Sequence, residues 1–154
     1  MPARGRRAAG MTLIELMVVV AIVGILAAIT YPAYTQFVMQ TNRTDATKTM
    51  QLAAQALERC YSVNFTYAPP GPPPGCNVLG NLVTDTSTMQ TPNKYYTLTF
   101  SIPDAQDYTI TAAANAGPQT SDSQCATFTL SSSGQQAAQD SNNNPNTKLC
   151  WGSN

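Results

Sequence analysis

Residues 11–30 read MTLIELMVVVAIVGILAAIT, an apolar run interrupted by a single acid, Glu15. Every residue from 16 to 29 is apolar or glycine. With residues 11–14 the stretch approaches the roughly 20 residues that cross a bilayer as helix. Arg4, Arg6 and Arg7 precede it, which predicts that the N-terminus stays on the cytoplasmic side. An ordinary secretory signal cut after the run is one reading, and a simple single-pass anchor is another. Three features oppose the signal. No well-placed A-x-A site is followed by a polar start, the helical pattern continues beyond Tyr31, and Glu15 lies inside the run.

A charge at the centre of a membrane helix costs roughly 2.5–3.5 kcal/mol on insertion scales. Glu15 is off-centre and costs less, yet it still needs a partner. Cutting after Gly10 would create one, because the new α-amino group of Met11 lies about one helical turn earlier. That amine can neutralise Glu15 of its own chain or of an adjacent one. The second arrangement sets axial register between packed helices, an attested use of a buried polar pair.

Downstream, Pro32 removes an amide donor and is expected to kink or locally open the helix, with Gly24 a second weak point. Beyond Tyr34 the pattern turns amphipathic. Ala46, Met50, Ala53 and Leu57 share one face, while Lys48, Gln51, Gln55 and Glu58 lie largely elsewhere. Helix over 11–61 would measure roughly 75 Å at the standard rise. YAPPGPPPGC (67–76) cannot be helix or central strand and reads as a stiff surface loop tethered by Cys76, or as a Pro-rich ligand. Three alternating segments then predict strands: KYYTLTF (94–100), YTITA (108–112) and CATFTL (125–130). They give the fold class α+β, a long N-terminal helix whose apolar half protrudes, packed on a three- to four-stranded antiparallel sheet. The tail QDSNNNPNTKLCWGSN is polar and irregular, and Trp151 can pack where Cys150 closes it.

The chain has 154 residues, with 8 basic and 8 acidic side chains. Without the three arginines of residues 1–10, five basic residues face eight acidic ones, a net −3. Such a balance makes a poor general partner for phosphate backbones. The four cysteines, Cys60, Cys76, Cys125 and Cys150, show no CxxC spacing, and there is no histidine. A zinc site of four scattered thiolates is one use for them. Beside an export-like N-terminus, two disulfides in an oxidising compartment are the better one. Of three connectivities, Cys60–Cys76 with Cys125–Cys150 is favoured because both close modest loops, each contributing about 3–4 kcal/mol in the loop-entropy model.

G-MTLIELMVVVAIVGILAAITYPAY resembles the class III signal of type IV pilins and pseudopilins. It has a short basic leader, a scissile glycine, a glutamate at the fifth mature position and a Tyr-Pro about twenty residues on. The resemblance implies removal of residues 1–10 by the prepilin peptidase, between Gly10 and Met11, and N-methylation of Met11. The family usually has phenylalanine at the Met11 position. ALERCYSVNFTY, SDSQCATFTLSSSGQ and the closing CW are similar to PilE-type (ComP-like) minor pilins, so the Cys125–Cys150 region corresponds to the disulfide-bounded loop of pilins. The implied organisation is a leader at 1–10, a transmembrane and filament-core helix at 11–34, and a periplasmic head at 35–154.

No catalytic constellation is legible. Histidine is missing from any triad, and no GxxxxGK[ST] or GxGxxG cradle occurs. Asp104 with Asp107, and Asp122 with Asp140, suggest calcium or acid–base pairs; for the first two a turn-forming role is the better reading. No enzyme activity, cofactor or metal is expected. The resemblance implies a structural minor pilin of the inner membrane and then of the extracellular pilus, supporting pilus biogenesis, twitching motility or adhesion. Glu15 and Pro32 would serve assembly. Its partners would be other major and minor pilins, the prepilin peptidase and the inner-membrane assembly platform. A ComP-like DNA receptor and a type II secretion pseudopilin are the alternatives, DNA being the less favoured partner because Arg43, Lys48, Arg59, Lys94 and Lys148 are few.

Overall fold

The computed structural model describes residues 11–69 and 75–152. The leader with Gly10, and the prolines at 70 and 72–74, lie outside the described residues. One long helix, α1 (Leu13–Asn64), runs unbroken through Pro32, so the local opening expected there leaves no gap in its helical assignment. The chain divides into two compact units between Phe37 and Val38. In the first unit the apolar side chains of α1 are exposed, Ile14, Val20 and Ile29 among them.

In the second unit, the expected stripe of α1 is the buried one. Ala46, Met50, Ala53 and Leu57 are fully buried, and Asn42 and Thr49 extend the same face. They pack in one core with the inward residues of an antiparallel sheet of five strands in sequential order. These strands are β3 (Thr88–Gln90), β4 (Tyr96–Ser101), β5 (Thr109–Ala114), β6 (Thr127–Ser131) and β7 (Gln136–Gln139). Tyr96, Leu98 and Phe100 of β4 point inward, as do Ile110 and Ala112 of β5 and Phe128 and Leu130 of β6. Alternate positions carry threonine, aligned across strands as Thr99↔Thr111↔Thr129.

The sheet therefore has five strands, where three or four were expected. The additional strands are short and poor in β-branched apolar residues, so their own propensity does not announce them. β3 pairs with the well-formed β4, and β7, sequence QAAQ, pairs with β6 and buries Ala138. A separate two-stranded ribbon, β1 (Cys76–Val78) with β2 (Asn81–Val83), buries Cys76, Val78 and Val83 in the same core. The tail is ordered into a short helix, α2 (Thr147–Trp151).

Candidate functional site

Two sites emerge, one at the start of α1 and one where α1 meets the disulfide-bounded region. At the first, the Thr12 hydroxyl oxygen accepts the Glu15 backbone N–H at 3.3 Å. Thr12-x-x-Glu15 is thus a capping-box sequence, with the acid in the first helical turn where the helix dipole favours negative charge. This cap by Thr12 was legible as T-x-x-E and was missed by reading Glu15 only against the Met11 amine. Leu26 accepts the Thr30 hydroxyl and Pro32 accepts the Thr35 hydroxyl, so side chains supplement the backbone bonding around the proline.

At the second site, Arg43 leaves α1 and meets Asp122, on the loop between β5 and β6. Nε donates to Oδ2 and Nη2 to Oδ1, each at 2.6 Å, a two-pronged pair. Asp122 is 1% and Arg43 14% exposed. Asp122 Oδ1 also accepts the backbone N–H groups of Gln124 and Cys125, so the same carboxylate positions the cysteine. Beside it, buried Gln119 accepts from Asn42 Nδ2, and its own amide donates to the Tyr96 hydroxyl at 2.8 Å. Burial is the main cause that pushes the Tyr96 hydroxyl up to about 12, with the Asp122 charge adding to it. Asn42 carried a usable signal, since it sits four residues before Ala46 on the apolar stripe.

Both favoured cysteine pairings form. Cys125–Cys150 spans 5.7 Å between Cα atoms and joins the loop before β6 to α2. The Trp151 ring meets Phe128 edge-on at 6.0 Å, and its Nε1–H donates to the Ala137 carbonyl. Cys60–Cys76 ties the last turns of α1 to β1. Next to it, Tyr67 stacks on Tyr61 and meets Tyr108 edge-on, at 4.7 and 4.8 Å between ring centres. The hydroxyls of Tyr67 and Tyr108 both donate to Glu58 Oε1. Burial first, and then Glu58, push Tyr67 up to about 12 and Tyr108 higher.

Of the paired acids, Asp104 and Asp140 act as acceptors within their own turns. Asp104 Oδ1 accepts the N–H groups of Gln106 and Asp107, as a turn former does. Asp140 accepts from Asn142 and Asn144, and these hydrogen bonds, the Asn144 side chain first, lower its pKa. Among the described residues no group of three or more acid, cysteine or histidine side chains is placed to hold a metal ion.

The five cations of the second unit separate in kind. Arg43 is committed to Asp122, the one ion pair among the described residues. Lys48, Arg59, Lys94 and Lys148 are exposed. Several carboxylates are occupied as local acceptors, Asp45 by the Asn93 N–H and Asp85 by the Ile102 N–H.

Comparison with known proteins agrees with this architecture. The profile of the prokaryotic N-terminal methylation motif matches residues 5–31. The fimbrial protein EcpC of Eikenella corrodens is 57% identical over 37 residues, which span about a quarter (24%) of that relative and of this chain. The methylation motif and the apolar helix mark an inner-membrane pilin that assembles into an extracellular pilus. The profile described as "Type IV minor pilin ComP, DNA uptake sequence receptor" matches residues 32–129, more than half of the chain, and the chain belongs to that family of structural pilins.

Proposed function

We propose that this chain is a structural minor subunit of a type IV pilus, carried into the filament by α1 after cleavage between Gly10 and Met11. In this reading Glu15 and the Met11 amine set register with neighbouring pilins, and Pro32 serves the helix as it packs among them. The observation that carries it is the part of α1 in the first unit, an exposed apolar helix with a lone acid at its start. The T-x-x-E sequence at Thr12 and Glu15 shapes the test. Glu15→Gln keeps a capping-box side chain and removes only the charge, whereas Glu15→Ala removes both. Both variants should insert in the membrane and be depleted at least ten-fold from sheared filaments, measured by quantitative proteomics. Normal incorporation of Glu15→Gln would refute the charge-based register. Twitching and adhesion assays of a deletion strain then separate the roles of the filament.

A second reading is favoured by the family match together with the exposed cations. The chain would then receive DNA on the pilus, with Lys48, Arg59, Lys94 and Lys148 as the available phosphate contacts. Four contacts set a ceiling of about −3.6 on the slope of log affinity against log salt. A gel-shift titration of the detergent-solubilised chain decides it, because a purely structural subunit shows no salt-sensitive binding.

A further inference from the structure

The two edges of the five-stranded sheet are managed differently. β3 is a three-residue edge. β7 presents Gln136–Ala137–Ala138–Gln139, with no charge, proline or glycine to discourage another strand. What covers it is the C-terminal segment. Ala138 turns both backbone groups away from β6. Its N–H donates to the Thr147 hydroxyl oxygen at 3.1 Å, and its carbonyl accepts the Asn146 N–H at 2.8 Å. Pro145 bridges to Gln139, Asp140 N–H donates to the Asn144 carbonyl, and Trp151 Nε1 donates to the Ala137 carbonyl. Residues 144–151 thus stand in for a missing sixth strand. Their anchor is Cys125–Cys150, helped by Asn146 Nδ2, which donates to the Gln124 carbonyl, and by the ring contact of Trp151 with Phe128.

We propose that this segment is a strap over a latent pairing edge, that the Cys125–Cys150 bond is its staple, and that the uncovered edge takes the β7 of a second copy. A short, uncharged strand whose two central side chains are alanines is complementary to itself. Two copies can approach antiparallel about a two-fold axis at the ~4.8 Å strand spacing, each Ala138 finding the donor and acceptor that the strap now supplies. No charge lies on β7 to oppose the pairing. Cys60–Cys76, which ties α1 to the separate ribbon, has no part in guarding this edge.

The test uses the full chain in detergent. Cys125→Ser with Cys150→Ser should speed exchange of the Ala138 amide at least ten-fold and double the protein mass per particle relative to wild type. Adding Ala137→Lys, at an exposed position that would face its symmetry mate, should return the mass to the wild-type value. Cys60→Ser with Cys76→Ser should leave both readings unchanged. Thr147→Val with Trp151→Ala loosens the strap with both disulfides intact, so it reads the same edge without disturbing oxidative folding; it should give the doubled species in smaller proportion. The idea is overturned if neither strap variant doubles in mass, however its amides exchange, or if doubling survives Ala137→Lys.

Discussion

Arg43 and Asp122 lie 79 residues apart and form a two-pronged ion pair with both contacts at 2.6 Å, clamping α1 to the loop that delivers Cys125. The pair removes from the surface one of the five basic residues available to a phosphate-binding face. It also places a fully buried carboxylate where five hydrogen bonds converge from Arg43, Gln119, Gln124 and Cys125.

Removing one partner strands the other. Asp122→Ala should destabilise the chain by about 3 kcal/mol, the lower end for a broken buried pair because Arg43 keeps some contact with solvent. Replacing both partners with apolar residues, Arg43→Met with Asp122→Leu, should cost less than Asp122→Ala alone. Chemical denaturation of the three proteins in detergent checks the order.

The tyrosines predict alkaline sensitivity. Tyr67 and Tyr96 ionise near 12 in the folded protein, above the ordinary value of 10.0, because burial disfavours the phenolate. The unfolded chain therefore loses these protons first. Their contribution is fully present below pH 10 and is lost as pH rises through 12. Tyr67→Phe should flatten the fall in melting temperature across that window. An unchanged slope would show that Tyr67 does not contribute to it.

Two glycines with positive φ should respond differently to alanine. A Cβ at Gly75 would run into the Val83 carbonyl and Thr84, whereas at Gly80 it meets open space. Gly75→Ala should cost roughly 1–3 kcal/mol more than Gly80→Ala, since both carry the backbone penalty and one adds overpacking. Melting curves of the two single variants provide the comparison.

Lys94 holds a φ of 60° in an exposed turn, a conformation that suits glycine. Lys94→Gly should therefore stabilise the chain, by up to about 1 kcal/mol. On the DNA-receptor reading it should also weaken binding and lower the salt slope by about 0.9. Gain of stability with unchanged DNA retention would remove Lys94 from that face.

Much of the architecture was written in local patterns. Periodicity 3.6 picked out Ala46, Met50, Ala53 and Leu57, and alternation picked out β4 to β6. Both work because a half-buried element must repeat its apolar residues at its own geometric period. QAAQ carries no such pattern. It becomes β7 because β6 offers an open edge and the C-terminal segment closes the far side. The tail likewise reads as irregular until Cys150 and Trp151 hold it against the sheet. In the site, T-x-x-E at Thr12 and Glu15 was readable from the string alone.

By itself, then, the amino-acid order determined the apolar helix with its single acid, the amphipathic stripe, the central strands and the class of pilin, since each depends on neighbours within a few turns or a short motif. Only tertiary structure decided that Arg43 spends its charge on Asp122, that Glu58 gathers Tyr67 and Tyr108, and that the tail guards an edge. Those contacts join groups far apart in sequence, such as Glu58 and Tyr108 across 50 positions, and no local pattern encodes which distant partner burial will bring within hydrogen-bond reach.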